Sequence, residues 1–383
     1  MDSFEFVSAG KIIFGVGSSG RLGELVRKLN ASKVLVVTGK GGWERFRGTF
    51  DALREHELEL ATFSVSREPT LEDVRDGAKH ASGCDVVIGI GGGSAVDAAK
   101  AIAAVATNGG EPLEFCEVIG KGRPLENRPL PVIAMPTTAG TGSEVTKNAV
   151  VKSVQDERKV SIRSDDMIPT FAVVDPSLHV STPRSVTAAA GMDALTQCIE
   201  PYISKKANAM VDVLSIKGIR LAAKSLRNAY RCPENVEARK DMAMAALLGG
   251  LSLANAKLGA VHGFAGVLGG MTDASHGAIC AALLVPTFEL NAQRVKQSWP
   301  EHYYRFEEVA AALTGNTTAS VSEGIAWLKQ LTSDLEISSL QKMGISEDRF
   351  DEIAEQSRKS SSMGGNPLEL TNEELIIILS KAY

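Results

Sequence analysis

Residues 85–107 read DVVIGIGGGSAVDAAKAIAAVAT. A β-branched run ends in three glycines, and an alanine-rich helical pattern follows. The unbroken apolar run marks a strand buried on both faces, as in a parallel sheet. Gly91, Gly92 and Gly93 let the backbone approach a bulky anion with no Cβ in the way. Ser94 stands where it can cap the helix, whose first N–H groups and positive dipole end then face the anion. A diphosphate is the natural ligand, which makes Gly92, Gly93 and Ser94 candidate cofactor contacts. The spacing from Gly89 is G-x-G-x-G-S, which is neither the G-x-G-x-x-G fingerprint nor a P-loop. A ligand-free βα turn is the competing reading.

Outward from this unit the first half repeats its pattern. KVLVVTG (33–39), ELATFSV (59–65), PVIAMP (131–136) and TFAVVDP (170–176) read as further strands, and LEDVRDGAKHAS (71–82) as a helix. Such alternation predicts a mostly parallel sheet covered on both faces. From about Thr182 the chain is helix after helix. Thr182-Pro183 looks like a helix start, with a hydroxyl cap and proline at the first position. Pro201 is expected to stop that helix. Thr371 followed by Glu374 is a capping box for the last helix. The expected boundary lies near residues 176–183. Residues 1–180 would then be an α/β dinucleotide-binding domain, and residues 181–383 an all-helical metal and substrate domain. A second loop, PTTAGTGSEVT (136–146), is dense in hydroxyls and glycines. With it, Thr137, Thr138, Thr141 and Ser143 become candidates to ring a nucleotide's base and ribose.

The net charge of −5 argues against a nucleic-acid groove or an anionic membrane surface, which want clustered Lys and Arg. No apolar stretch reaches the ~18 residues that span a bilayer, and the start, MDSFEFVSAGKIIFG, lacks the pattern of a secretory leader. The five cysteines are scattered, with no C-x-x-C pair, which fits free thiols in a reducing cytosol.

Of six histidines, His56, His80, His179 and His302 lie in charged or loop contexts and are expected on the surface. His262 and His276 lie in LGAVHGFAGVLGGMTDASHGAICAALLVP (258–286), which is nearly free of charge. Their ring nitrogens need partners. Each alone reads as a satisfied core histidine. With Asp193 of GMDALTQCIE (191–200) they make a candidate carboxylate–imidazole cluster for Zn²⁺ or Fe²⁺. Asp193 and Gln197 share one helical face at i, i+4. Cys280, four after His276, could offer a thiolate, but is expected to be a buried structural thiol.

The ordered set GKIIFG (10–15), GGGSAVDAAK, PTTAGTGSEVT, AVVDPSL (172–178), AAAGMDALTQCIE (188–200) and LGAVHG…GG…SHG (258–277) resembles the iron-containing alcohol dehydrogenases, relatives of glycerol dehydrogenase and dehydroquinate synthase. The likeness runs nearly end to end. It implies the dehydroquinate synthase-like fold: a nucleotide-binding α/β domain, a helical domain, and metal, nicotinamide and substrate held in the cleft between them. It also implies hydride exchange between a nicotinamide and a small aldehyde, ketone or alcohol, in a homodimer. The family's metal is held by an Asp and three His. Asp193, His262 and His276 match three of these positions, Gln197 stands at the fourth, and Gly266 replaces a common accessory histidine.

The amide oxygen of Gln197 is a weaker donor than imidazole to Zn²⁺ or Fe²⁺. Three readings follow. The site binds metal through three strong ligands, or it binds metal loosely, or it works without metal. In the last, His262 or His276 would stabilise the oxyanion or deliver a proton, as in a maleylacetate reductase-like enzyme. A lyase related to dehydroquinate synthase, or a sensor that has lost catalysis, would be a more distant alternative. Relatives that prefer NAD often have Asp at the position of Gly39. Gly39 removes that repulsion and Lys40 adds a positive charge, so NADP(H) is expected to be accepted and preferred, with NAD(H) as the other choice. The resemblance adds Glu68, Val150 and Lys159 to the cofactor set, although Lys159 alone would read as a solvated surface lysine.

Overall fold

β4 (Val86–Gly91) is buried along its whole length, because it lies inside a six-stranded sheet with neighbours on both sides. The computed structural model describes residues 3–54, 58–66 and 68–383; His56 lies outside these. The sheet also contains β1 (Lys11–Phe14), β2 (Lys33–Gly39), β3 (Glu59–Val65), β5 (Val132–Pro136) and β8 (Phe171–Val174). All pairs are parallel and the order is β1-β8-β5-β4-β2-β3. From β2 the chain continues to one side, to β3. From β4 it continues to the other, to β5. The sheet therefore reverses direction between β2 and β4, and a crevice at their carboxyl ends is where open α/β sheets bind ligands. The register puts Thr38 beside Ile90, and Gly91 beside Pro136, so Gly39, Gly91 and the 136–138 loop come off one edge.

Two departures from the sequence reading belong to this unit. A hairpin of β6 (Asn148–Ser153) and β7 (Arg158–Arg163) forms a separate antiparallel sheet. β6 alternates buried and half-buried residues, the period-2 pattern of a one-sided strand. The second departure is at the glycine turn. The helix Gly93–Asn108 has Gly92, not Ser94, at its N-cap, with no side-chain cap. Ser94 is already inside the first turn.

Contacts group Ser8–Thr138 with Gly142–Val180 as one unit, and Ser181–Tyr383 with residues 1–7 and 139–141 as the other. Among the described residues no strand follows Val174. The helical unit is built on Arg184–Ile203, Ala209–Arg231, Val236–Asn255, Ala260–Met271 and His276–Ser298. The first of these departs from expectation at both ends. Pro183 is its N-cap, so Thr182 does not cap it, and Pro201 sits inside the last turn while the helix runs on to Ile203. Proline removes one N–H bond and crowds the preceding turn, but the helix ends at Ile203, so little of it lies beyond the break. The last helix, Asn372–Ala382, has the expected capping box of Thr371 and Glu374. No single helix among the described residues is long and apolar enough to cross a membrane.

Candidate active site

The glycine loop is shaped for close approach. An added Cβ at Gly89 would lie 2.7 Å from Ala99 Cβ, so the glycine lets the helix sit against the strand. Gly91 has φ +156°, and a Cβ there would lie 2.7 Å from Ala95 Cβ. Ala95 and Val96 N–H bond back to Gly92 O at 3.0 and 3.3 Å, and the helix leaves those of Gly93 and Ser94 for a ligand. Thr137 N–H is tied to Gly91 O at 2.7 Å, which joins the two loops, and Thr138 is half-buried beside Gly92. Thr141 is half-buried and belongs to the helical unit.

A buried charge network under these loops went unread in the sequence. Lys100 is fully buried, and its Nζ donates to Ser143 O at 2.8 Å, Thr146 O at 3.3 Å, Thr146 Oγ1 at 3.1 Å and Asn148 O at 2.5 Å. It also lies 3.2 Å from Asp97 Oδ1. Asp97 accepts from the Ser143 hydroxyl and, at 3.1 Å, from Val150 N–H. The Ser143 hydroxyl is thus engaged within the loop, and Val150 is held through its backbone. Burial pushes Lys100 below the ordinary lysine range against the pull of Asp97. Burial likewise lifts the Glu144 carboxyl to about 7.

Lys159 is not a solvated lysine: its side chain is 3% exposed and its Nζ is 3.0 Å from Glu68 Oε1. Gly39 has open space where a Cβ would stand, and Lys40 is exposed.

In the helical unit Asp193 and Gln197 project from the Arg184–Ile203 helix, both almost fully buried. His262 comes from the helix Ala260–Met271, and His276 opens the helix His276–Ser298. Gly277 permits this. Its Cβ would meet Ala189 O at 2.4 Å, so the helix start rests directly on the backbone of the Asp193 helix. Asp193 Oδ1 lies 3.2 Å from His262 Nε2 and 4.0 Å from His276 Nε2. Cys280 Sγ lies 3.8 Å from His262 Nε2 and 3.7 Å from His276 Nε2. One donor atom from each of Asp193, His262, His276 and Cys280 lies within 4.8 Å of the others. Cys280 is buried, as expected, and its Sγ also faces both imidazoles.

Glu200, unassigned in the sequence, orients the cluster. Its Oε2 accepts from His262 Nδ1 at 2.6 Å, and its Oε1 from Val261 N–H at 2.7 Å. One carboxylate therefore caps the helix that bears His262 and turns Nε2 towards Asp193 and Cys280. Its signal was present in GMDALTQCIE: an acid seven residues after Asp193, on a helix with little other charge. Gln197 Nε2 donates to Gly140 O at 3.3 Å, while its Oε1 is buried with no hydrogen-bond donor. Asp193 Oδ1 also lacks a well-directed donor.

Burial pushes the Asp193 carboxyl up, but His262 and His276 outweigh it and hold it below the usual range. Burial pushes His262 down; Cys280, Asp193 and Glu200 reverse this, and the net direction is well up. Burial raises the Cys280 thiol, and the two imidazoles more than cancel that rise. Buried acceptors without donors, an imidazole fixed from behind by a carboxylate, and a thiol drawn towards its anion form a donor set that fits a divalent cation.

Two histidines expected on the surface are buried. His179 Nε2 donates to Pro136 O at 3.1 Å. His302 Nε2 donates to Ile203 O at 3.0 Å, and its ring stacks on Trp299 with centroids 3.9 Å apart. Each satisfies a carbonyl at the end of an element. His80 is exposed.

A dinucleotide crevice and a carboxylate–imidazole–thiol cluster are the parts of a nicotinamide-dependent oxidoreductase. Comparison with known proteins agrees. The family model for iron-containing alcohol dehydrogenase matches residues 9–176, and that for the C-terminal part of the Fe-containing alcohol dehydrogenase family matches residues 187–383. The chain is 35% identical over 392 residues to 1,3-propanediol dehydrogenase of Klebsiella pneumoniae, covering 99% of each. It is 34% identical over 379 residues to choline dehydrogenase of Bacillus subtilis (strain 168), covering 96% of this chain and 92% of that one. The solved structure of a 1,3-propanediol oxidoreductase matches at TM-score 0.92 and 34% identity, covering all of both chains. The chain belongs to the iron-containing alcohol dehydrogenase family. It is an alcohol dehydrogenase, of a family that uses NAD(H) and a divalent metal, and its substrates are small alcohols or aldehydes.

Proposed function

We propose that this enzyme interconverts small alcohols and their aldehydes or ketones with NADP(H) preferred over NAD(H) and with a divalent metal in the Asp193 cluster. The convergence of Asp193, His262, His276 and Cys280, with Glu200 behind His262, is the observation that carries this reading. When bound, the metal would polarise the substrate oxygen, and the nicotinamide would give or accept the hydride. The chain's own residues supply the rest. Asp193, His262 and His276 would hold the ion, and Glu200 keeps a proton on His262 Nδ1 so that Nε2 faces the ion. Gly93 and Ser94 N–H would hold the diphosphate. Gln197 Oε1 and Asp193 Oδ1, buried without a well-directed donor, suit a site that receives a cation.

Reduction of a panel of small aldehydes with NADPH and NADH tests the reading. NADPH should give the higher kcat/KM; a clear preference for NADH would reject the cofactor assignment. Gly39→Asp should reverse the preference, because the open space there admits a carboxylate that hydrogen-bonds the ribose and repels a 2′-phosphate. The expected change in the NADPH/NADH ratio is about tenfold or more, the equivalent of 1.4 kcal/mol. Glu200→Gln should weaken metal binding by about 10–100-fold, read as a shift in a competitive chelator titration. Unaltered affinity would mean that the Glu200–His262 bond has no bearing on the metal. Light scattering tests the further expectation of a homodimer, and fractionation that of a cytosolic location.

A further inference from the structure

The geometry points to Cys280 as the fourth protein donor of the metal site, bound as a thiolate in the role that relatives give to an imidazole at the position of Gln197, with the substrate oxygen as an added fifth donor. This rests on the metal-dependent reading above. In a tetrahedral site with metal–sulfur about 2.3 Å and metal–nitrogen about 2.0–2.1 Å, neighbouring N and S donors stand about 3.6 Å apart and N and O donors about 3.4 Å. Here the two N···S edges are 3.8 and 3.7 Å, and the N···O edges 3.2 and 4.0 Å. The Sγ thus completes a set already close to coordination spacing.

Both Sγ···Nε2 contacts also admit weak hydrogen bonds, with the sulfur donating to one ring and accepting from the other, so the spacing and the convergence of four ligand atoms carry the assignment. Asp193 Oδ1, in a side chain that is 2% exposed, faces the same point with no directed donor. Other buried thiols in the chain behave differently. Cys198 Sγ donates to Ala245 O at 3.5 Å and Cys116 Sγ to Pro112 O at 3.4 Å, as packing thiols do. The amide of Gln197 is tied by its nitrogen to Gly140 O, and a neutral amide oxygen is a weaker metal ligand than imidazole or thiolate.

Exchange of an imidazole for a thiolate makes the ligand set softer and adds one negative charge. Thiolate favours Zn²⁺ over Fe²⁺. The thiol proton leaves to solvent when the ion binds.

The test is Co²⁺ titration of the chelated full-length protein, with cobalt per chain measured after gel filtration and the near-ultraviolet spectrum recorded. Expected are one cobalt per chain and a sulfur-to-cobalt charge-transfer band. That band should be lost in Cys280→Ser and kept in Cys198→Ser, Cys116→Ser and Gln197→Ala. One cobalt per chain with no such band, or a band that survives Cys280→Ser, overturns the assignment of Cys280 but leaves a metal site in place. No cobalt uptake by the wild type overturns the metal reading itself, and this assignment with it. Should Cys280→Ser fail to fold, the wild-type band and its persistence in the other cysteine variants decide.

Discussion

Asp193→Asn should remove metal-dependent turnover and also leave the metal-free protein less stable than the wild type. The substitution keeps the shape of the side chain and removes one buried negative charge. Asp193 is the residue whose Oδ1 lies against both imidazoles, so its loss should cost more than the 10–100-fold in metal affinity typical of an outer-shell partner, about 100-fold or more. The stability half of the prediction follows from pairing. Taking a charge out of water is costly unless it is compensated; His262 and His276 compensate it here, and the asparagine forfeits that interaction. The wild type gains about 2.7 kcal/mol when metal is at 100 times its Kd, and Asp193→Asn should lose that gain. Thermal melts with and without added Zn²⁺ check both halves. A variant that still shows the full metal-induced rise in Tm would place the ion elsewhere.

Lys100→Met should destabilise the nucleotide-binding unit by about 3–5 kcal/mol, the usual result of breaking a buried ion pair from one side. Methionine fills the space of the lysine stem but leaves Asp97, three carbonyls and the Thr146 hydroxyl without their shared donor. The loops at 143–150 and the turn before the helix Gly93–Asn108 should loosen together, so NADPH affinity should fall as well. Denaturant unfolding followed by coenzyme titration measures both. If Asp97→Asn is added and part of the stability returns, the loss was that of an unpaired charge. A loss under about 0.5 kcal/mol, as at an ordinary surface site, would contradict the role given to this network.

The sequence reading followed the sheet closely where apolar runs were unbroken. β2 and β3 have the bounds that KVLVVTG and ELATFSV suggested. It went wrong where backbone conformation, not side-chain chemistry, decides. Ser94 has the right hydroxyl, but Gly92, extended at ψ −179°, makes the cap. Pro201 has the right chemistry to end a helix, yet lies too near the end for its missing N–H to matter. His179 and His302 sit among loop residues in the sequence, and only the fold shows the carbonyls they satisfy. At the site, Asp193, His262 and His276 could be found from residue type and an apolar setting. Glu200 and Cys280 were in the quoted segments as well; the spacing of Cys280 to His276 allows a thiolate at the cluster, but spacing alone does not separate it or an orienting carboxylate from ordinary buried groups. That distinction needs the distances between helices that lie far apart in sequence, which tight contacts such as Gly277 on Ala189 set.

The most direct measurement of the central claim is the metal content of the purified enzyme by ICP-MS, paired with aldehyde reduction before chelation, after chelation and after metal is restored. The account predicts close to one divalent ion per chain, with activity lost on chelation and recovered with Zn²⁺. Metal-free protein with activity untouched by chelation would contradict it, and Gln197 would then mark carbonyl reduction by hydrogen bonding alone.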